Sequence, residues 1–199
     1  MNVFDFKPSP KVKRLARQLL AEASENEPEI TNDVGEIASI LKAEIVGLEN
    51  KFKSEISLAR KLTDYSNVRN VTVEKIAKQI NDVLRYTIIF SPESYSKDYK
   101  LALDVLVEKG YQIPKIWNAW SNEGKPNDTG YRGINATIIS SQNHKFELQF
   151  HTAESFRLKT ETHGLYEERR SPNITKQRDA EILEIMKKLA AKIERPKGI

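Results

Sequence analysis

The sequence predicts an α+β fold, with a mixed, partly antiparallel central sheet of about four to five strands flanked by helices. Three observations lead there. Apolar residues recur at three- and four-residue intervals in the first quarter of the chain and again after residue 152. Between these regions lie "LRYTIIF", "YQIPKIWNAW", "YRGINATIIS" and "HKFELQFHT", runs rich in the β-branched and aromatic residues that favour extended backbone. Only "SQN" separates the last two, the signature of a hairpin, so the sheet is at least partly antiparallel.

In order along the chain, Pro8 and Pro10 mark the start of a helix over "SPKVKRLARQLLAEASE", and the acidic "ENEPE" separates it from a second over "TNDVGEIASILKAEIVGLENKF". Residues 1–50 therefore read as an N-terminal helical extension and 51–199 as the main domain. "KSEISLARKLTDYS" is a shorter, cationic helix, and "TVEKIAKQINDV" is another that runs into the first strand. "SYSKDYKLALDVLVEKG" is amphipathic and stops at Gly110, a residue that tolerates the left-handed conformation of a helix end. "SNEGKPNDTG" is a loop by composition. Two helices follow the hairpin, "AESFRLKTETHGLYEERR" and "QRDAEILEIMKKLAAKIE".

Composition narrows the chemistry. The 199 residues are 39% hydrophobic, enough for one core, and 32 Lys plus Arg against 28 Asp plus Glu give a net charge of only +4. That balance suits an anionic ligand but not a dedicated nucleic-acid coat. The absence of cysteine removes disulfides, thiolate metal sites and cysteine nucleophiles. No apolar run has the length of a membrane span, and the expectation is a soluble protein with no membrane partner.

Strand "FELQFHT" sends Glu147, Gln149 and His151 from one face while Phe146, Leu148 and Phe150 fill the core from the other. A carboxylate so placed can ligate a hard cation or take a proton from a hydroxyl; the ordinary alternative is a solvated edge strand. In "KPNDTGYRGIN", Tyr131 can stack a nucleobase and Arg132 can meet a phosphate, unless the tyrosine merely packs on a helix. "KFKSEISLARKL" carries Lys51, Lys53, Arg60 and Lys61, a set that either converges on a polyphosphate or forms a solvated helix face. Asp82 and Arg85 reach one end of a strand, although Asp82 also suits a plain helix-closing role. Lys159, His163 and Tyr166 share a helix face. Zinc on Glu147, His151 and His163 is a weaker reading, since no paired ligand motif such as "HEXXH" is present. Neither glycine-rich phosphate loop occurs, so side-chain cations must hold any phosphates.

In this order the pieces resemble the synthetase domain of the RelA/SpoT family, which makes alarmone nucleotides. "KFKSEISLARKL" is similar to the family's "R-V-K-S-x-x-S-x-x-x-K-L", "KPNDTGYRGIN" to "K-P-x-G-Y-R-S-x-H", and "ELQFHT" to "E-I-Q-I-R-T", with His163 following at the family's helical distance. The resemblance spans residues 51 to about 166 and implies a nucleotidyltransferase-like synthetase domain that moves the β,γ-pyrophosphate of ATP to the 3′ hydroxyl of a purine nucleotide. Lys51, Lys53, Ser57, Arg60 and Lys61 would then bind ATP, and Asp82 and Glu147 would share Mg²⁺. Glu147, Asp82 and Arg85 would form the catalytic set, with Tyr131, Arg132, Asn135, Gln149, His151 and His163 on the acceptor.

The chain departs from the family at Asn135 and His151, where the patterns have histidine and arginine, and in the three-residue spacing from Asp82 to Arg85, where the family has five. If Asp82 is aligned, Thr87 takes the arginine's place, and Arg85 lies two residues earlier on the same strand face. These departures bear on the acceptor more than on the reaction, and they look closer to the toxic and secreted branch. No His-Asp metal motif of an alarmone hydrolase is present, and synthesis without hydrolysis depletes ATP, as a toxin requires. The partners so implied are ATP, an acceptor nucleotide and an immunity protein, with action in the bacterial cytoplasm, including after export as part of a larger effector. A tRNA 3′ end is the alternative acceptor, which Lys125, Arg132, Arg157, Arg169 and Arg170 would face. A non-catalytic nucleotide-binding module is a third reading.

Overall fold

The computed structural model describes residues 6–171 and 173–199. Pro10–Ile40 forms one helix, α1, rather than the two expected. Ser9 caps it by accepting from the Val12 amide, and Pro10 supplies a preset φ at its first turn. Pro28 lies inside it on an exposed face, so the Ser24 carbonyl that the proline leaves without its helical donor can bond water, and the helix continues. "EIV", expected to extend that helical segment, is instead the short strand β1 (Glu44–Val46).

There follow α2 (Glu55–Arg69), α3 (Val73–Ala77), β2 (Arg85–Ile89), α4 (Tyr95–Glu108), β3 (Gln112–Asn118), β4 (Ile134–Ile139) and β5 (Lys145–His151). The chain closes with α5 (Ala153–Glu161), α6 (His163–Arg169) and α7 (Lys176–Ala190). The stretch expected as one helix after the hairpin breaks at Thr162 into α5 and α6. The five strands run β1-β2-β5-β4-β3, with β2 and β5 parallel and the other pairs antiparallel. Pro114 is tolerated in β3 because that strand is an edge, and the pairing shifts register beside it.

Alternation sorts the sheet into two faces. Tyr86, Ile88, Ala136, Ile138, Phe146, Leu148 and Phe150 are buried in one core. Ile30, Val34 and Ile37 of α1 and Leu58 and Leu62 of α2 belong to the same core. Residues 1–50, read from the sequence as an extension, thus contribute a helix and a strand to that core and sheet, residues 1–5 lying outside the described part. Tyr86 fixes α1 further by hydrogen bonding to Thr31, which in turn bonds Glu27. Among the described residues no helix is long and apolar enough to cross a membrane.

Candidate active site

The opposite sheet face carries two rows of functional groups set by strand register. Arg85, Glu147, Thr137 and Lys115 align across β2, β5, β4 and β3, and one step along lie Thr87, Gln149, Asn135 and Trp117. All of these but the buried Thr87 border a cleft of about 750 Å³, which residues of α2, α5 and α6 also line. Such a volume is ordinary for a small-molecule site.

At the mouth of β2, Asp82 is nearly buried and accepts from Lys53 Nζ at 3.0 Å and from Lys61 Nζ at 2.7 Å. Burial disfavours its charge, but the two ammonium groups outweigh burial and hold its pKa at about 2. Glu147 shows the opposite balance: burial, then repulsion from Asp82, raises its pKa above the usual carboxylate value, against the hydrogen bond from Gln149 and the charges of Lys61 and Arg85. Gln149 Nε2 donates to one Glu147 oxygen at 2.6 Å and Asn135 Nδ2 to the other at 3.3 Å, which fixes the carboxylate's plane.

From Asn135 a chain of hydrogen bonds runs away from the carboxylate. Tyr131 donates its hydroxyl to Asn135 Oδ1 at 2.7 Å, and His151 Nε2 lies 2.9 Å from the same hydroxyl. The tyrosine proton being spent on Asn135, His151 donates from Nε2 and accepts at Nδ1 from Ser155 Oγ, 2.9 Å away. His151 has no solvent exposure, and burial lowers its pKa well below the usual histidine value, so it is neutral. Both ring nitrogens are occupied, which removes it from the zinc set; among the described residues no group of three metal-binding side chains assembles. Gly133 makes room for this contact, because a Cβ there would sit 2.8 Å from His151 Cε1.

Tyr131 also lies parallel to Trp117, with ring centroids 5.5 Å apart. The sequence reading missed Trp117, treating it only as part of a strand. The available signal was the alternation of Lys115 and Trp117, which sends both to one face, but only the β3–β4 register places Trp117 beside Asn135.

The remaining assignments divide. Ser57 lines the cleft with Lys61, one helical turn away, and exposed His163 lines it while stacking on Tyr166. Lys51 does not line it; its ammonium pairs with Glu27 of α1 at 2.7 Å. Arg60 likewise falls off the face that Ser57 and Lys61 share, and its guanidinium lies 5.5 Å from the Phe6 ring and 3.9 Å from Glu167. Arg132 lines the cleft, but its guanidinium is buried in a two-pronged pair with Asp128 at 2.9 and 3.2 Å, which ties it to the loop. Of the five cations assigned to a tRNA-facing surface, Arg132, Arg157, Arg169 and Arg170 are each paired with a carboxylate.

The whole arrangement has counterparts among solved structures. The small alarmone synthetase 1 from Bacillus subtilis, bound to its product pppGpp, superposes with a TM-score of 0.62 at 13% identity, over 88% of this chain and 90% of that one. The Type VI effector Tas1, in complex with its immunity protein, gives 0.56 at 16% identity, over 94% and 97%. A GTP pyrophosphokinase family protein from Streptococcus pneumoniae gives 0.58 at 14%, over 92% and 89%. No family model matches the sequence, and no curated protein matches it significantly. At these identities the likeness establishes the fold alone: an α+β architecture with a five-stranded mixed sheet.

Proposed function

We propose that this protein is a Mg²⁺-dependent pyrophosphokinase that transfers the β,γ-pyrophosphate of ATP to the 3′ hydroxyl of a purine nucleotide. The observation that carries the reading is the position of Glu147, between the Asp82–Lys53–Lys61 cluster on one side and the Tyr131–Trp117 stack on the other. Cations for a polyphosphate, a basic carboxylate and an aromatic platform for a base thus share one cleft.

The donor set fits magnesium. Two carboxylates facing one cleft, with no third protein ligand assembled among the described residues, suit an ion that keeps several waters and binds substrate phosphates. Asp82 and Glu147 would hold it, and the chemistry it supplies when bound is neutralisation of charge on the transferring phosphates. The chain's own residues do the rest. Lys53 and Lys61, which already surround Asp82, are placed to exchange part of that contact for phosphate oxygens, and Arg85 stands beside Glu147. Tyr131 and Trp117 stack the acceptor base. Glu147, its pKa raised and its plane held by Gln149 and Asn135, accepts the proton of the attacking hydroxyl.

The neighbouring folds include an effector described with its immunity protein, which supports a toxin role and an immunity protein as partner. The test is a product screen by nucleotide chromatography, with ATP and each of AMP, ADP, GDP and bulk tRNA, with and without Mg²⁺. A 3′-pyrophosphorylated nucleotide plus AMP, formed only with the metal, is expected. Label from ATP entering RNA alone would transfer the reading to tRNA, and no product from any acceptor would refute it.

A further inference from the structure

The proposed mechanism leaves Lys159 unused, although it lines the cleft. A capping box sets its course: Thr152 Oγ accepts from the Ser155 amide and Ser155 Oγ accepts from the Thr152 amide, so α5 leaves β5 at a fixed angle. Two turns later the Lys159 side chain lies back over the strand. Its Nζ donates to Gln149 Oε1 at 2.6 Å and lies 5.3 Å from the centroid of the Phe156 ring.

Charge pairing singles this group out. Lys53 and Lys61 share Asp82, Arg132 pairs with Asp128, Arg169 with Asp179 and Arg170 with Glu167. Lys159 and Arg85 are partly buried in the same cleft, yet among the described residues neither has a carboxylate within ion-pair distance. They are also close enough to oppose each other: burial, then the charge of Arg85, lowers the Lys159 pKa to about 8, against the pull of Glu147. Two partly buried neighbouring cations, with Glu147 as their nearest opposite charge and no carboxylate in direct contact, are costly unless an anion completes them.

We infer that Lys159 and Arg85 form a second anion position on the sheet face, between the register row of Arg85 and Glu147 and the next row at Gln149, that takes a phosphate group of a bound nucleotide. The chemistry is that of phosphate oxygens held by an ammonium and a guanidinium. Two sources present it, the 5′ phosphate of the acceptor and the polyphosphate of ATP. When Lys159 turns to the phosphate, Thr87, 3.3 Å from the same Gln149 oxygen, keeps the amide oriented so that its NH₂ still faces Glu147.

The inference rests on the nucleotide reading of the cleft, so the test separates the two. Calorimetry of the intact protein with adenosine, AMP, ADP and a non-hydrolysable ATP analogue is compared for wild type, Lys159→Met, Lys159→Gln and Lys159→Arg. Loss of one charge-assisted contact is expected to weaken phosphate-bearing ligands by about ten- to a hundredfold in the Met and Gln variants, with adenosine unchanged and the Arg variant within about threefold of wild type. Weakened AMP and ADP binding identifies the acceptor's phosphate, and weakened analogue binding identifies that of ATP. Wild-type affinities in both neutral variants overturn the inference, as does a fall in kcat alone, which would mean that Lys159 only orients Gln149. A wild type that binds no nucleotide overturns the reading of the cleft and this inference with it.

Discussion

Gly133→Ala puts the Tyr131–His151 contact under direct load. The added Cβ would lie 2.8 Å from His151 Cε1, 3.1 Å from His151 Nε2 and 3.1 Å from the Tyr131 hydroxyl. The first distance is shorter than carbon atoms tolerate, and His151, fully buried and bonded at both nitrogens, has no outward path. The tyrosine is therefore the group that yields, and overpacking of this kind costs about 1–3 kcal/mol. For a chain of this length that lowers the melting temperature by roughly 2–4 °C per kcal/mol. A displaced Tyr131 also loses its place on the acceptor base, and base–aromatic stacking is worth about 1–3 kcal/mol, so KM for the acceptor should rise by roughly five- to 150-fold. KM for ATP should stay within twofold or so, because the Asp82 cluster is untouched. Thermal melts and steady-state kinetics with each substrate varied in turn read both effects. Adding His151→Ala removes the ring that the methyl strikes, so the double variant should be less impaired than the product of the single effects. Unchanged melting and unchanged acceptor KM in Gly133→Ala would show that the contact does not position Tyr131.

Three further outcomes follow from the same geometry. Lys61→Ala should raise the ATP KM by about tenfold or more, whereas Lys51→Ala, whose ammonium is committed to Glu27 outside the cleft, should leave it nearly unchanged; kinetics on the pair decides between motif membership and geometry. Asp128→Ala takes the two-pronged partner from a buried Arg132, leaving only Glu123 at 3.7 Å, and should cost up to about 3–5 kcal/mol, visible as a melting temperature lower by up to roughly ten degrees, whereas a surface pair would cost little. Asp82, at about 2 against an ordinary 3.8, stabilises the metal-free fold fully above pH 3.8, and the contribution is lost as pH falls through 2. The shift corresponds to about 2 kcal/mol at most, because the burial of Lys53 offsets part of it. Urea unfolding at about pH 4 and pH 2 should show that loss in wild type and a smaller one in Asp82→Asn.

What the sequence made legible was whatever depends on strand alternation. Glu147, Gln149 and Asn135 lie on the face that "FELQFHT" and "GIN" imply, because side-chain direction in a strand is fixed by parity alone. Motif membership was a poorer guide wherever a helix intervened. Lys51, Arg60 and Lys61 look equivalent in "KFKSEISLARKL", but only Lys53, Ser57 and Lys61 of that stretch's assigned residues meet the cleft. The continuous α1 was hidden by Pro28, whose cost depends on exposure of the opposing carbonyl and so on tertiary placement. The N-terminal segment's share in the core was invisible for the same reason, since Ile30, Val34 and Ile37 join a core that also takes in residues of β2, β4 and β5, more than forty residues away.

The departures from the family pattern gain most from the structure, because they turn out to touch one another. The pattern has serine, histidine and arginine where this chain has Gly133, Asn135 and His151. Gly133 leaves the space that the His151 ring fills, His151 bonds the Tyr131 hydroxyl, and that hydroxyl bonds Asn135, which bonds Glu147. An imidazole that the pattern places on β4 is thus supplied from β5, and the neighbouring strand gives up bulk to admit it. Adding a side chain at Gly133 alone would strike His151, so at least these two positions are coupled. On the β2 side of the same strand, with a neutral imidazole in the arginine's position, Lys159 brings an ammonium into the cleft from α5. On the proposed reading, the altered groups lie between the Tyr131–Trp117 stack and the Lys53–Lys61 cations, where an acceptor would be selected, while Asp82 and Glu147 stay on the cleft where that reading puts the metal.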